Sequence, residues 1–311
     1  MRFIKYFLRV VIISFLLIAI AVYSILACPG GFYHDSYQSM IQDKFQKLLD
    51  TNEPKIVIVG GSNCAFGIDQ NMIEDATGYT VVNLGLHAGF GHLFYSELSK
   101  ANINPGDIIL LAYEYNWPEE GGFSDVDCDL IMSGIDDDLK MYTYLPKDML
   151  YKIMGNVIPY ASRKSNAEFD TNGVYSRRGF DPDTLQMTGE RNQEFHFDPA
   201  VNGSFSIQDV YISESSKEYL TEYKEFVESK GACVYFVSIP LAKSSIACDY
   251  DEFYKLKNLE EQEIGIEYIS DPADYFYEDD CFFDTKFHCN EKGQKIRTQQ
   301  LIDDLIAAGV I

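Results

Sequence analysis

From residue 10 to residue 28 the chain is apolar except for Ser14 and Ser24, and beyond it hydrophobic and polar positions settle into short alternating blocks. At about 1.5 Å per helical residue the first run can cross a hydrocarbon core of about 30 Å, so it predicts a membrane-spanning helix. The stretches 55–59, 80–84, 107–115, 232–239 and 266–269 are rich in β-branched and aliphatic residues and predict strands. Met40, Ile41, Phe45, Leu48 and Leu49 share one helical face over 39–50, and further helices are predicted at 69–76, 90–101, 213–230 and 291–307. Strands alternating with helices predict an α/β fold whose five-stranded parallel sheet is covered on both faces.

The interval 121–212 breaks that rhythm and predicts an insertion after the third strand. If it starts where that strand ends, it emerges at the carboxyl edge of the sheet. There it either roofs a site or extends the core, and long insertions serve both ends. The organisation expected is a basic stub and anchor over 1–29, a tether over 30–37, and one domain filling 30–311.

Arg2, Lys5 and Arg9 precede the apolar run, which places the N-terminus in the cytoplasm and the domain outside as a single-pass protein of the cell membrane. A cleaved signal peptide is the rival, as is lipidation of Cys28 after Ile25-Leu26-Ala27, although the length of the run favours an uncleaved anchor. The chain carries 25 Lys+Arg against 48 Asp+Glu, a net charge of −23. Such a field excludes nucleic acid and disfavours other polyanions, leaving neutral or cationic partners, and it also serves plain solubility. The seven cysteines form no C-x-x-C pair. Cys64 and Cys233 read as buried thiols, and a disulfide between Cys281 and Cys289 stays open.

Chemistry is concentrated in two short segments. Gly60-Gly61-Ser62-Asn63 follows the first strand, where an open α/β sheet presents ligands, and Asp284-Thr285-Lys286-Phe287-His288-Cys289-Asn290 lies just before the last helix. A serine hydroxyl needs a base to take its proton and a carboxylate to orient that base. Ser62, His288 and Asp284 are the residues that would supply these three roles.

This arrangement resembles the SGNH or GDSL-like hydrolases, whose nucleophilic serine follows strand one and whose Asp and His share a loop near the C-terminus. The likeness runs in motif order from Lys55 to Leu305. It implies a three-layer, flavodoxin-like fold with strand order 2-1-3-4-5, an acyl-serine intermediate and no cofactor or metal. His288-Cys289-Asn290-Glu291-Lys292-Gly293 is similar to the H-L-N-x-x-G continuation of membrane-anchored members. That likeness implies short-acyl ester chemistry on a cell-envelope glycan or glycolipid, with a membrane-bound acyl donor as a further partner. Hydrolysis and transfer to a sugar hydroxyl stay equally open, as does a non-catalytic role in polysaccharide binding or assembly.

Two departures from the family pattern matter. Three residues, not two, separate Asp284 from His288. In Ala112-Tyr113-Glu114-Tyr115-Asn116-Trp117, Glu114 stands roughly where the family has an oxyanion-donating asparagine, and an ionised carboxylate there would oppose the developing charge. The expected donors are the Ser62 N–H and an N–H of the second block, Gly89 or alternatively Gly85, with Asn116 able to replace the missing side chain. Glu114 and Trp117 are candidate substrate contacts, and Trp117, Tyr113, Tyr115 and Phe123 either form a sugar-stacking wall or pack under a loop, the more usual role of such residues. His87 and His92 read as packing or hydrogen-bonding residues. Asp125-Val126-Asp127-Cys128-Asp129 reads as a solvated acidic turn, because Leu130 stands where a calcium loop needs glycine.

Overall fold

The computed structural model describes residues 2–27, 29, 31–118, 126–136, 138–191, 198–207 and 211–311. Cys28, Phe123 and Asp125 lie outside the described residues.

The apolar N-terminal run forms helix α1 (Arg2–Ala27). Its span Phe3–Leu26, of mean hydropathy 2.5, is long and apolar enough to cross a membrane. Next come α2 (Met40–Asp50), β1 (Lys55–Gly60), the short α3 (Ser62–Gly67), α4 (Gln70–Thr77), β2 (Thr80–Asn83), α5 (His92–Ser99) and β3 (Ile108–Ala112). The interval predicted as an insertion holds α6 (Cys128–Gly134), α7 (Lys147–Lys164) and the single turn α8 (Pro199–Asn202). The chain closes with α9 (Glu214–Ser229), β4 (Cys233–Phe236), β5 (Leu241–Ala242), α10 (Asp251–Ile264), β6 (Phe276–Tyr277) and α11 (Glu291–Ala307).

The main sheet is parallel with order β2-β1-β3-β4. Alternation along each strand divides its side chains between two buried clusters: Val57, Val59, Ile109 and Leu111 on one face, Ile56, Ile58, Ile108 and Leu110 on the other. Helices α2, α5 and α9 cover the first face, and α4, α10 and α11 the second. At the sheet's amino edge Lys55 and Asp107, both wholly buried, pair at 2.7 Å and tie β1 to the entry of β3.

Among the described residues the expected fifth strand is not formed, and the sheet has four strands. Residues 266–269 contribute one parallel bridge, Phe236 with Tyr268. Beyond it the ladder stops because the Ser238 N–H donates to the Ser270 hydroxyl at 2.7 Å and not to a backbone carbonyl. A separate parallel pair, β5 with β6, extends the second face. Helices α7 and α10 have buried residues three or four apart, such as Met149, Ile153, Val157 and Tyr160, yet Pro159 inside α7 masks the pattern.

Candidate active site

Ser62 opens α3 directly after β1, at the carboxyl edge of the sheet. The two preceding glycines are there for space, since neither has a positive φ. A Cβ on Gly60 would lie 2.5 Å from the Ala112 carbonyl oxygen, and one on Gly61 would lie 2.6 Å from Glu114 Oε1 and 3.2 Å from the Ala88 Cα. Only glycine lets β1, β3 and the turn after β2 converge this closely.

The loop before α11 delivers the other two residues. His288 Nε2 is 2.8 Å from Ser62 Oγ, and its Nδ1 is 2.8 Å from Asp284 Oδ1. The Phe283 N–H donates to the His288 carbonyl at 2.8 Å, and Phe282 bridges Cys289 antiparallel. This closed loop holds the three residues between Asp284 and His288. Asn290 fixes its exit: the side-chain oxygen caps α11 at the Gly293 N–H (3.0 Å), while Nδ2 donates to the Asp280 carbonyl at 2.8 Å. Phe66 stacks on the His288 ring with centroids 4.1 Å apart and planes within 9°.

A fourth residue, Tyr175, comes from the inserted interval. Its hydroxyl donates to Asp284 Oδ2 and lies 3.3 Å from His288 Nδ1. The insertion therefore reaches this site. Burial alone would raise the Asp284 carboxyl, but the hydrogen bond and charge of His288, together with the Tyr175 bond, hold it below the usual carboxylate range.

The residue after the serine, Asn63, is wholly buried. Its Nδ2 donates to the Ala112 carbonyl (3.1 Å) and to Glu114 Oε1 (2.8 Å), and its Oδ1 accepts from Arg297 Nη2 (3.0 Å). Arg297 Nη1 donates to the Asn63 carbonyl. Arg191 Nη1 reaches the Phe66 carbonyl at 2.9 Å and its Nη2 reaches Gln294 at 2.8 Å, so α3 is clasped from both the insertion and α11. Glu114 is thus turned toward Asn63, with its other oxygen 3.3 Å from His92 Nε2. Burial keeps His92 below the usual histidine range despite that carboxylate.

The expected glycine donors are otherwise engaged. The Gly89 N–H donates to His87 Nδ1 and the Gly85 N–H to Asn83 Oδ1, each at 2.9 Å. The amides of Ser62 and Ala88 each open a helical turn, where an N–H has no intrahelical acceptor. Ala88 and Glu114, which border Gly61, also line a cavity of about 340 Å³ with Gly89, His92, Asn116 and Trp117. Asn116 is exposed at its rim.

The aromatic wall is not formed by the described residues. Trp117 is 1 % exposed and stacks on Phe236, and Tyr113 and Tyr115 are also core side chains. Asp127 caps α6 through the N–H groups of Asp129 and Leu130. Cys64 is buried as expected, whereas Cys233 is exposed at the start of β4; Cys281 and Cys289 are free thiols.

Tyr175, Asn63, Arg191 and Arg297 were not singled out from sequence. Arg297 left one signal, a cation on the buried face of α11 between Gln294 and Leu301. Tyr175 left none. Compared with known proteins, the chain matches no family model and no curated sequence.

Proposed function

We propose that this chain is a membrane-anchored serine hydrolase or O-acyltransferase of the SGNH type, with its domain outside the cytoplasmic membrane. The observation that carries the reading is the continuous relay Ser62–His288–Asp284, with both links at 2.8 Å. The sheet order β2-β1-β3-β4 and the serine's place after β1 support it. In this reading Ser62 Oγ attacks an ester carbonyl as His288 Nε2 takes its proton, and Asp284 stabilises the imidazolium at Nδ1. The oxyanion is then assigned to the Ser62 and Ala88 amides, which have no intrahelical acceptor, with Asn116 at the rim. Collapse returns the proton to the departing alcohol and leaves an acyl-serine, which water or a sugar hydroxyl then cleaves with His288 as base. The anchor and acidic surface favour a neutral envelope glycan or glycolipid as substrate, and a membrane-bound acyl donor if the reaction is transfer.

A fluorophosphonate probe tests the reading, because only a hydroxyl activated by a neighbouring base reacts quickly. Labelling is expected on Ser62 alone and lost in Ser62→Ala and His288→Ala. A folded wild-type protein that stays unlabelled would instead support a non-catalytic binding role.

A further inference from the structure

Helix α7 has two apolar faces. One packs into the core through Met149, Ile153, Val157 and Tyr160. The other points outward: Tyr151, Met154 and Ile158, spaced three and four apart, are 74 %, 51 % and 80 % exposed. A helix whose outer face meets only water is polar there. This one presents an apolar strip that an apolar partner would fit.

The position of α7 indicates what. The span Phe3–Leu26 of α1 is 24 residues. At 1.5 Å per residue that is about 36 Å, slightly more than the hydrocarbon core of about 30 Å, so Leu26 falls at the outer boundary of any bilayer that α1 crosses. The last turn of α1 docks on the C-terminal end of α7. Leu26 is buried, Val22 and Ile25 pack on the core, and Lys164 Nζ donates to the Leu26 carbonyl at 3.5 Å. The groove between the two helices is lined by Ser24, Ile25, Pro29, Phe32, Ala161 and Lys164. Aromatic rings crowd this junction, with Phe32 4.8 Å from Tyr33 and 5.9 Å from Phe169, and Lys164 Nζ 5.7 Å above the Phe32 ring. Lys164 is buried and also pairs with Asp136, so the anchor meets the domain through a packed junction.

We propose that the outer face of α7 lies in the interfacial layer of the same bilayer that α1 crosses, with Tyr151, Met154 and Ile158 inserted among the headgroups and upper acyl chains. The occupant is a lipid surface, which the anchor brings to the C-terminal end of α7. α7 then acts as a strut beside the anchor, seating the domain in one orientation on the membrane instead of leaving it on a free tether. The inserted interval that carries α7 also sends Tyr175 to the Ser62 site, so the seated orientation extends to that site. The proposal rests on α1 spanning the bilayer, and the experiment separates the two.

The full chain is reconstituted in phosphatidylcholine/phosphatidylglycerol vesicles with or without bromine high on the acyl chains, and tryptophan emission is compared in Phe15→Trp, Ile158→Trp and Ile296→Trp. Emission from the buried Trp117 is subtracted using the unaltered chain. Ile296, exposed on α11 behind the opposite sheet face, is the control. The emission added at 158 is expected to fall by about half, since interfacial helices sit about 5–10 Å into the boundary. Emission at 296 should be unaffected. Quenching at 15 with none at 158 beyond the control overturns the α7 proposal alone. No quenching at 15 overturns the anchor and, with it, the proposal. Emission at 158 shielded from both bromolipid and aqueous iodide would mean that protein, such as a second copy, covers the face, which also overturns it. Met154→Trp repeats the measurement one turn away.

Discussion

The Tyr175 hydroxyl donates to Oδ2 of Asp284, the oxygen that His288 leaves free. The loop that carries Asp284 is thereby steadied by a side chain 109 positions away. The bond orients the carboxylate and helps hold its pKa down, behind the larger contribution of His288.

Tyr175→Phe should slow the fluorophosphonate reaction of Ser62 by about tenfold, since a hydrogen bond to a charged group is worth about 1.5–3 kcal/mol and part of it is lost. Without the donor the Asp284 carboxyl becomes less depressed, so its titration, followed by NMR of the carboxyl carbon, should move to higher pH. A slower rate with an unmoved Asp284 titration would assign Tyr175 to packing alone.

Glu114 supports Asn63, so its replacements should differ. Glu114→Gln keeps an acceptor for Asn63 Nδ2, and a stability near wild type is expected. Glu114→Ala leaves one N–H of a wholly buried amide without a partner and should cost about 1–3 kcal/mol in urea denaturation. Equal stability of the two variants would remove Glu114 from the support of the serine turn.

Glu260 sits wholly buried on α10, and burial pushes its carboxyl up to about 8, against the hydrogen bonds of Tyr268 and Trp117. The native state then binds more protons than the unfolded chain between about pH 4.3 and about pH 8, so this group's contribution to stability is full below that window and declines as pH rises through it. Glu260→Gln removes the titration. The melting temperature of the variant relative to wild type should therefore rise between pH 5 and pH 8, and a constant difference across that range would contradict a buried, titrating Glu260.

The strand β1 and the serine at its end were legible in the sequence because each depends on neighbours within a few residues, and hydrophobic periodicity marked the strand cores. Asp284 and His288 were legible from residue type and spacing, although their meeting with Ser62 required the sheet to close. The length of the sheet was not legible: 266–269 has strand composition, but Ser270 intercepts the Ser238 amide and ends the pairing after one bridge.

By itself the sequence determined an N-terminal helix long and apolar enough to cross a membrane, the alternation of strands and helices, and three residues of suitable chemistry. Tertiary structure decided which groups surround them: Tyr175 on Asp284, Arg297 on Asn63, Gly89 turned to His87, and Trp117 drawn into the core. The physical reason is range. Propensity, capping and periodicity act within a turn or a strand, whereas these contacts join segments whose approach is set by how the whole sheet and its two helical layers pack.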